Sequence, residues 1–380
     1  MRISKTLFTA FFLLFSITPA SAVEIPAVFN FQGTGYGHGV GLSQIGARGK
    51  ALAGESAQSI LSYYYSGTQI LPLADNQNVR VNVGHLLTQA SIKSGTKDSI
   101  LNVYLGDVGE SLTAVPAASL TWKSAISFVQ LGTSISAFIV TGKNSQLLGT
   151  NSAWSVRWSG TRYLDGLAST VSLRVNSKSV KYRYGQIQIK SVKAPIIGHR
   201  MEVTNTVRIH DEYLYGISEV PSSWPTQALI AQAIASRSYV LSKLGVPRVA
   251  CDCNVYNSIS DQSFVGFSKE IEPIYGKLWK EAVQASSTSE TTGQVITING
   301  SPITAYFSSS SGGQTETSVN AWGQERSFTT SVADPYSQDP ILNPRFFTWS
   351  RPLTQAVLAR TFSLADVVAL NIDSRNPTGT

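Results

Sequence analysis

Charge is scarce in this chain: Asp, Glu, Lys and Arg make up 14% of its 380 residues, against about 25% in an average globular protein. That shortage excludes a coiled coil, which is built from charged and Leu-rich heptads. It excludes a disordered chain as well, because 42% of the residues are hydrophobic and disorder needs low hydrophobicity with high net charge. Gly and Pro, at 30 and 15, are near average usage, so a collagen-like chain is excluded. The polar surface must come from Ser, Thr, Gln and Asn. The few charges lean basic, with a formal net charge of +7 and a pI near 9.3. A basic balance favours anionic polymers such as a cell wall. No dense Lys/Arg run of the nucleic-acid-arm kind is present, so no nucleic acid is expected.

Long hydrophobic runs are missing too. Arg2 and Lys5 precede an apolar run from Leu7 to Phe15, which Pro19 breaks before Ala20-Ser21-Ala22. That is the order of a secretory signal peptide, with cleavage expected after Ala22. The run is shorter than the roughly 20 residues that cross a bilayer. The expected location is outside the cell and associated with its wall, without stable membrane insertion.

Cysteine is reduced to one Cys-x-Cys pair, Cys251 and Cys253, and histidine to His38, His85, His199 and His210. A secreted setting favours a disulfide, yet a bridge across a single residue closes a tight, strained ring. Two free thiols are the alternative. A metal would need further ligands, and no histidine lies nearby in sequence. No metal site and no cofactor is expected.

Length suggests two or three domains. Residues 27–33 read as a strand, followed by a glycine-dense loop around His38. Helices are expected over Leu42 to Leu52 and Ser56 to Tyr64. From 69 to about 205, short β-branched stretches (79–83, 135–140, 171–175, 187–189) alternate with Gly, Asn, Ser and Asp clusters, as in a sandwich or barrel. A short helix is expected from Asp211 to about Ser218. A long one runs from Thr226 to Leu244, capped by Ser222 or Ser223 and ended by Gly245 and Pro247. A third covers Glu272 to Ala285. Residues 293–298 and 303–308 then read as a hairpin turning at Asn299-Gly300. The fold class is α+β: a helical core packed with antiparallel β-structure, plus a β-rich insert. The expected divisions are 1–22 signal peptide, 23–68 glycine-loop segment with two short helices, 69–205 β-rich region, 206–330 helical core, and 331–380 C-terminal segment.

Three segments look over-specified for packing alone. In Gly35-Tyr36-Gly37-His38-Gly39-Val40-Gly41-Leu42-Ser43-Gln44, alternating glycines let backbone approach a ligand closely. The Gly-Lys-Ser/Thr of a phosphate loop is absent, and no βαβ unit follows. In the second segment Glu219 stands at the expected end of a short helix, among Val220, Pro221 and Trp224. Helix end and apolar surroundings would both raise its pKa, which suits a general acid. The alternative is a Glu bonding the backbone of the next turn. The third segment, Ser308 to Gly313 with Thr315, offers hydroxyl and backbone donors, or is a plain hairpin exit; Gly-x-Ser-x-Gly is absent.

Together the segments resemble the family of stage II sporulation protein D and the amidase enhancer LytB. The family's Glu-Met-Pro and Pro-x-Glu-Ala-Leu-x-Ala-Gln-Ala-x-Ala-Ala-Arg-Thr-Tyr correspond to Glu219-Val220-Pro221 and to 225–239, from Pro225 through Gln232 and Arg237 to Tyr239. Its Ser-x-Ser-Gly-Gly-x-Thr and Trp-Gly correspond to 309–315 and Trp322-Gly323. Its Gly-His-Gly-Val-Gly-Met-Ser-Gln corresponds to 37–44. The likeness covers about residues 30–68 and 205–325. It departs in two ways: the Gly-His-Gly block precedes the core where the family more typically has it after, and Val220 replaces Met.

The resemblance implies a lytic transglycosylase. Such an enzyme cleaves the MurNAc–GlcNAc bond of peptide-stripped glycan strands and leaves 1,6-anhydro-MurNAc ends. Glu219 would be its acid and base. His38, Ser43, Gln44, Gln232, Arg237, Tyr239, Ser310, Ser311 and Gly312 would bind substrate, although packing explains the helix residues equally well. The other acid to watch is Asp261. The implied partners are peptidoglycan glycan strands and, on the alternative reading of a non-catalytic enhancer, a cell-wall amidase. A third reading is a wall-binding adhesin carried by the insert.

Overall fold

A computed structural model describes residues 24–379; the expected signal peptide lies outside them. The chain divides into two compact units, one running to Gly33 and resuming at Trp349, the other Thr34–Thr348. In the first, Val28–Gly33 pairs antiparallel with Trp349–Thr354, which leads into a helix at Gln355–Phe362.

The second unit is mixed α and β. The β-branched stretches of the insert form two antiparallel layers. One sheet has six strands, in the order Asn144–Asn151, Ser134–Thr141, Ser124–Leu131, Gln89–Ser94, Val171–Val175 and Lys178–Tyr182. The other has seven, in the order Val255–Tyr256, Asn78–Leu87, Gly198–Arg208, Gln186–Ala194, Ala153–Trp158, Ile100–Leu105 and Ala118–Thr121. Inward residues of both, such as Ile92, Phe128, Val171, Val103, Trp154 and Val203, share one core. The seven-stranded sheet reaches past the insert: its edge strand Val255–Tyr256 comes from the family-like core and pairs parallel with Asn78–Leu87.

Three helices matter for the site: α1 (Gln44–Leu52), α2 (Ala57–Tyr64) and α3 (Thr226–Leu241). α1 starts two residues later than expected because Leu42–Ser43 pairs with Phe307–Ser308 in a parallel two-residue ladder. α3 sits between two apolar clusters. Leu229, Ala233 and Val240 face the β-layer core, while Ala231, Ile234 and Ala235 face α1, α2 and Ile296. A helix covered on all sides reads as apolar all round, so any polar residue on it needs an internal partner.

Several expectations are corrected. No serine side chain caps α3; Pro225 holds the cap position, and Ser222 Oγ instead donates to Glu272. α3 ends at Leu241, and the helix expected from Glu272 is α4, Gly276–Ala285. The helix expected at 211–218 is a single wide turn, Ile209–Tyr213, and Glu219 lies beyond it on a bend. The turn at Asn299-Gly300 has positive φ at both residues (50° and 76°), as a tight hairpin requires. Its return strand, however, is only Ser301–Pro302. The chain then leaves to pair with Leu42–Ser43, while Thr292–Ile298 takes Gln69–Ala74 as its main neighbour.

Candidate functional site

Glu219 is positioned by a short antiparallel contact. Ile217 bridges Phe264, Ser218 N donates to Ser263 O (2.9 Å), and Val265 N donates to Gly216 O (2.8 Å). Phe264 anchors the contact, stacked on Tyr213 at 5.5 Å and on Tyr182 at 6.3 Å. Gly216 is required here, since a Cβ would come within 2.4 Å of the Phe264 ring. On the other side of Glu219, buried Lys269 donates to Val220 O at 2.8 Å.

The Glu219 carboxyl is half-buried and accepts Ser263 N on Oε1. Burial pushes its pKa up to about 7, while the Ser263 N–H pulls the other way. A carboxylate desolvated in this way takes a proton near neutrality. Helix-end electrostatics are not among the causes, because the preceding turn ends short of it.

Tyr213 lies near this acid, and Tyr239 and Asp261 lie near Tyr213. The Tyr213 phenol is held protonated by burial and by the nearby Glu219, Tyr239 and Asp261; its hydroxyl donates to Gln262 Oε1. Asp261 is fully engaged. Its Oδ1 accepts Tyr239 Oη (2.8 Å) and Arg248 Nη2 (2.9 Å), and its Oδ2 accepts Arg248 Nη1 and Tyr256 N, both 2.9 Å. A bidentate Arg pair with two further donors leaves no lone pair for base chemistry.

The segment carrying these contacts, 248–263, is braced from below. Cys251 and Cys253 form a disulfide across one residue, which settles the state that the sequence left open. Arg248 N donates to Cys253 O. Between the cysteines, Asp252 accepts Arg80 (2.7 Å) and Lys190 (2.8 Å) from the seven-stranded sheet. The insert thus holds the loop that holds Glu219.

The other expected site residues separate into two groups. Gln232 and Arg237 are buried in α3. Gln232 bridges Gln44 (3.2 Å) and Ser236 (3.1 Å), and Arg237 Nε pairs with buried Asp75 at 2.7 Å and bonds Ser286. Both face the interior and have no solvent side. Ser43 is buried as well; its Oγ caps α1 by accepting Gly46 N and contacts Ser337 Oγ. Ser310, Ser311 and Gly312 are sewn onto the segment 334–343. Ser310 Oγ accepts Asn343 Nδ2, Ser311 Oγ donates to Asp334, and Gly312 O accepts Gln338 Nε2.

Of the remaining two, Tyr239 is buried at the edge of the core and His38 is exposed. Tyr239 lies beneath Lys243 and meets Phe307 ring to ring at 6.4 Å. His38 is exposed on one side and lies edge-on to Trp322 at 5.1 Å. The glycine loop lies against the strand that carries Phe307, so two motifs distant in sequence meet. Sequence reasoning missed Asp75, Arg248, Ser263, Tyr306 and Lys243. None carries a local signal; all but Lys243, which lies over Tyr239, are defined by partners further along the chain.

Among the described residues, no helix is long and apolar enough to cross a membrane. Residues 198–298 match the family model of the stage II sporulation protein. Over 123 residues the chain is 32% identical to an amidase enhancer of Bacillus subtilis (strain 168), covering 32% of this chain and 15% of that protein. It is 27% identical over 135 residues to a stage II sporulation protein D of the same organism, covering 34% and 39%. It is 26% identical over 177 residues to a stage II sporulation protein D of Bacillus amyloliquefaciens, covering 44% and 50%. The chain therefore spans half or less of the length of these curated relatives. No solved structure matches it.

Proposed function

The chain belongs, through residues 198–298, to the family of stage II sporulation protein D and the amidase enhancer, and on that premise we propose that it is a secreted, wall-associated lytic transglycosylase acting on peptide-stripped peptidoglycan glycan strands. Glu219 is its acid and its base. The observation that carries the proposal is the contrast between two carboxyls. Glu219 has a single backbone donor on one oxygen and a pKa raised to about 7, whereas Asp261 is committed to Arg248, Tyr239 and Tyr256.

Ordinary glycosidases work with two carboxyls, an acid and a base or nucleophile. A site with one free carboxyl suits a reaction that needs no activated water. The protonated Glu219 gives its proton to the glycosidic oxygen as the C1–O bond of MurNAc breaks. The 6-hydroxyl oxygen of the same sugar bonds to C1, and its proton passes to the Glu219 carboxylate. The acid is regenerated, no water is consumed, and the product is a 1,6-anhydro end. Activity then needs Glu219 protonated at the start, so the rate falls as pH rises through about 7.

The test uses purified protein and its Glu219→Gln variant on peptide-free glycan strands, with products weighed by mass spectrometry. Anhydro ends from the parent and none from the variant are expected. Reducing ends would mean hydrolysis and sink the one-carboxyl account. A second reading, a non-catalytic enhancer of a cell-wall amidase, is favoured by the similarity to the amidase enhancer. It predicts no cleavage and a stimulated amidase with or without Glu219.

A further inference from the structure

We propose that Trp322, Tyr306 and His38 form an aromatic platform that binds one pyranose ring of the glycan strand. The proposal rests on the glycan-cleaving reading above. It assigns a role to the Gly-His-Gly loop that acid–base chemistry leaves without one.

Trp322 is 45% exposed. A single exposed aromatic calls for no explanation. This one is braced, with Tyr306 meeting its ring at 4.7 Å and 51° and His38 meeting it at 5.1 Å and 66°. Its backbone is fixed as well. It ends α5, Ser318–Trp322, a five-residue helix capped by Thr317 Oγ1 at the start and by left-handed Gly323 (φ 72°) at the end. The indole is thus held in one orientation while part of its surface faces water. Presenting a fixed ring to solvent serves a ligand with a flat apolar face, and a pyranose has one on its C–H side.

His38 is suited to bracing and not to proton transfer. Its Nδ1 accepts Val40 N at 3.0 Å, and the backbone of Phe307 lies against the ring. Burial of the ring lowers its pKa, and the Phe307 backbone hydrogen bond only partly opposes this. The imidazole is therefore neutral, with Nδ1 taken by Val40 N. The glycines let the loop lie flush on the platform's strand. A Cβ on Gly41 (φ 74°) would come within 2.2 Å of Tyr306 O, and Tyr36 bridges Ser310 while Val40 bridges Glu316.

The platform is linked to the acid through packed side chains. Phe307, next to Tyr306, meets Tyr239; Tyr239 Oη donates to Asp261; and Ser263, two residues on, donates to Glu219. Lys243 stands over Tyr239, with Asp261, Arg248 and Arg326 as its charged neighbours. Aromatic faces edged by cations suit a sugar chain bearing carboxylates and hydroxyls. A few rings offer far less than the roughly 800 Å² per partner of a stable protein interface, which argues against an amidase as the occupant.

The test is calorimetric binding of peptide-free glycan strands to Glu219→Gln protein, compared with the same protein carrying Trp322→Ala or Trp322→Phe. Near-ultraviolet circular dichroism checks that each variant is folded. Trp322→Ala should weaken binding about 10-fold, and Trp322→Phe should recover most of it, because a flat ring remains. With Glu219 restored, Trp322→Ala should raise KM about as much and change kcat little. Equal affinity with and without Trp322 would overturn the platform. So would a Trp322→Ala variant that loses amidase binding and keeps glycan binding. Trp322-dependent binding without any cleavage would keep the platform and remove the transglycosylase. No glycan binding by the parent would remove both.

Discussion

Along α3, the buried polar side chains meet partners: Gln232 meets Gln44 and Ser236, Arg237 meets Asp75 and Ser286, and Ser238 Oγ donates to Ile234 O and accepts Ile296 N. Around Glu219 the bonding is thinner. Its carboxyl has the one backbone donor, and the neighbouring buried Gln262 leaves Nε2 without a partner among the described residues. The two regions belong to the same stretch of sequence similarity. Burying polar groups costs little where each is satisfied and much where it is not. Full satisfaction therefore marks the residues that build the fold, and an under-satisfied, desolvated acid marks the residue kept for chemistry.

The largest effect that can break this comparison is on rate. Glu219→Gln should lower glycan cleavage by up to ~10⁴-fold, the upper range for a general acid, while its thermal unfolding stays cooperative. A variant that cuts at more than a tenth of the parent rate would move the chemistry elsewhere. Arg237→Ala should do the reverse. It leaves Asp75 buried with His210 as its side-chain partner among the described residues (2.7 Å), which should cost about 3–5 kcal/mol in urea unfolding. The folded fraction should still bind glycan. Normal stability in this variant would show that α3's interior is not what holds the fold.

Asp261→Asn lies between the two regions. It loosens Arg248 and Tyr239, and should cost about 1–3 kcal/mol of stability. Cleavage should fall because Ser263 no longer holds Glu219, but products should remain anhydro ends. The last effect is a pH dependence. Glu219 has a folded pKa of about 7, raised from 4.5. Its contribution to stability is present in full below about 4.5 and is lost as pH rises through about 7. Glu219→Gln, which never ionises, should therefore gain on the parent by roughly 2–3 kcal/mol between pH 5 and pH 8. Parallel melts at the two values read this directly, and an unchanged gap would mean an ordinary, solvated carboxyl.

The sequence discloses local features well. The Asn299-Gly300 turn, α1, α2 and most of α3 follow from period and turn chemistry, and the insert's strands from β-branched runs. It discloses long-range pairing poorly. That Thr292–Ile298 would pair with Gln69–Ala74, or that Val255–Tyr256 would join the insert's sheet, is written in no local pattern. Glu219 was legible as an acid among apolar residues, but the helix end given as one cause is absent, and burial alone raises its pKa. Gln232 and Arg237 looked like ligand contacts because polar residues on a motif helix read alike whether they face water or a partner. Only the positions of Gln44 and Asp75, far away in the chain, decide which.

The most direct test of the central claim is a carbon-13 NMR titration of the Glu219 side-chain carboxyl, assigned by difference against Glu219→Gln. The account predicts a midpoint near 7. A midpoint near the ordinary 4.5 would contradict it, because Glu219 would then be ionised at neutral pH and could not supply the proton.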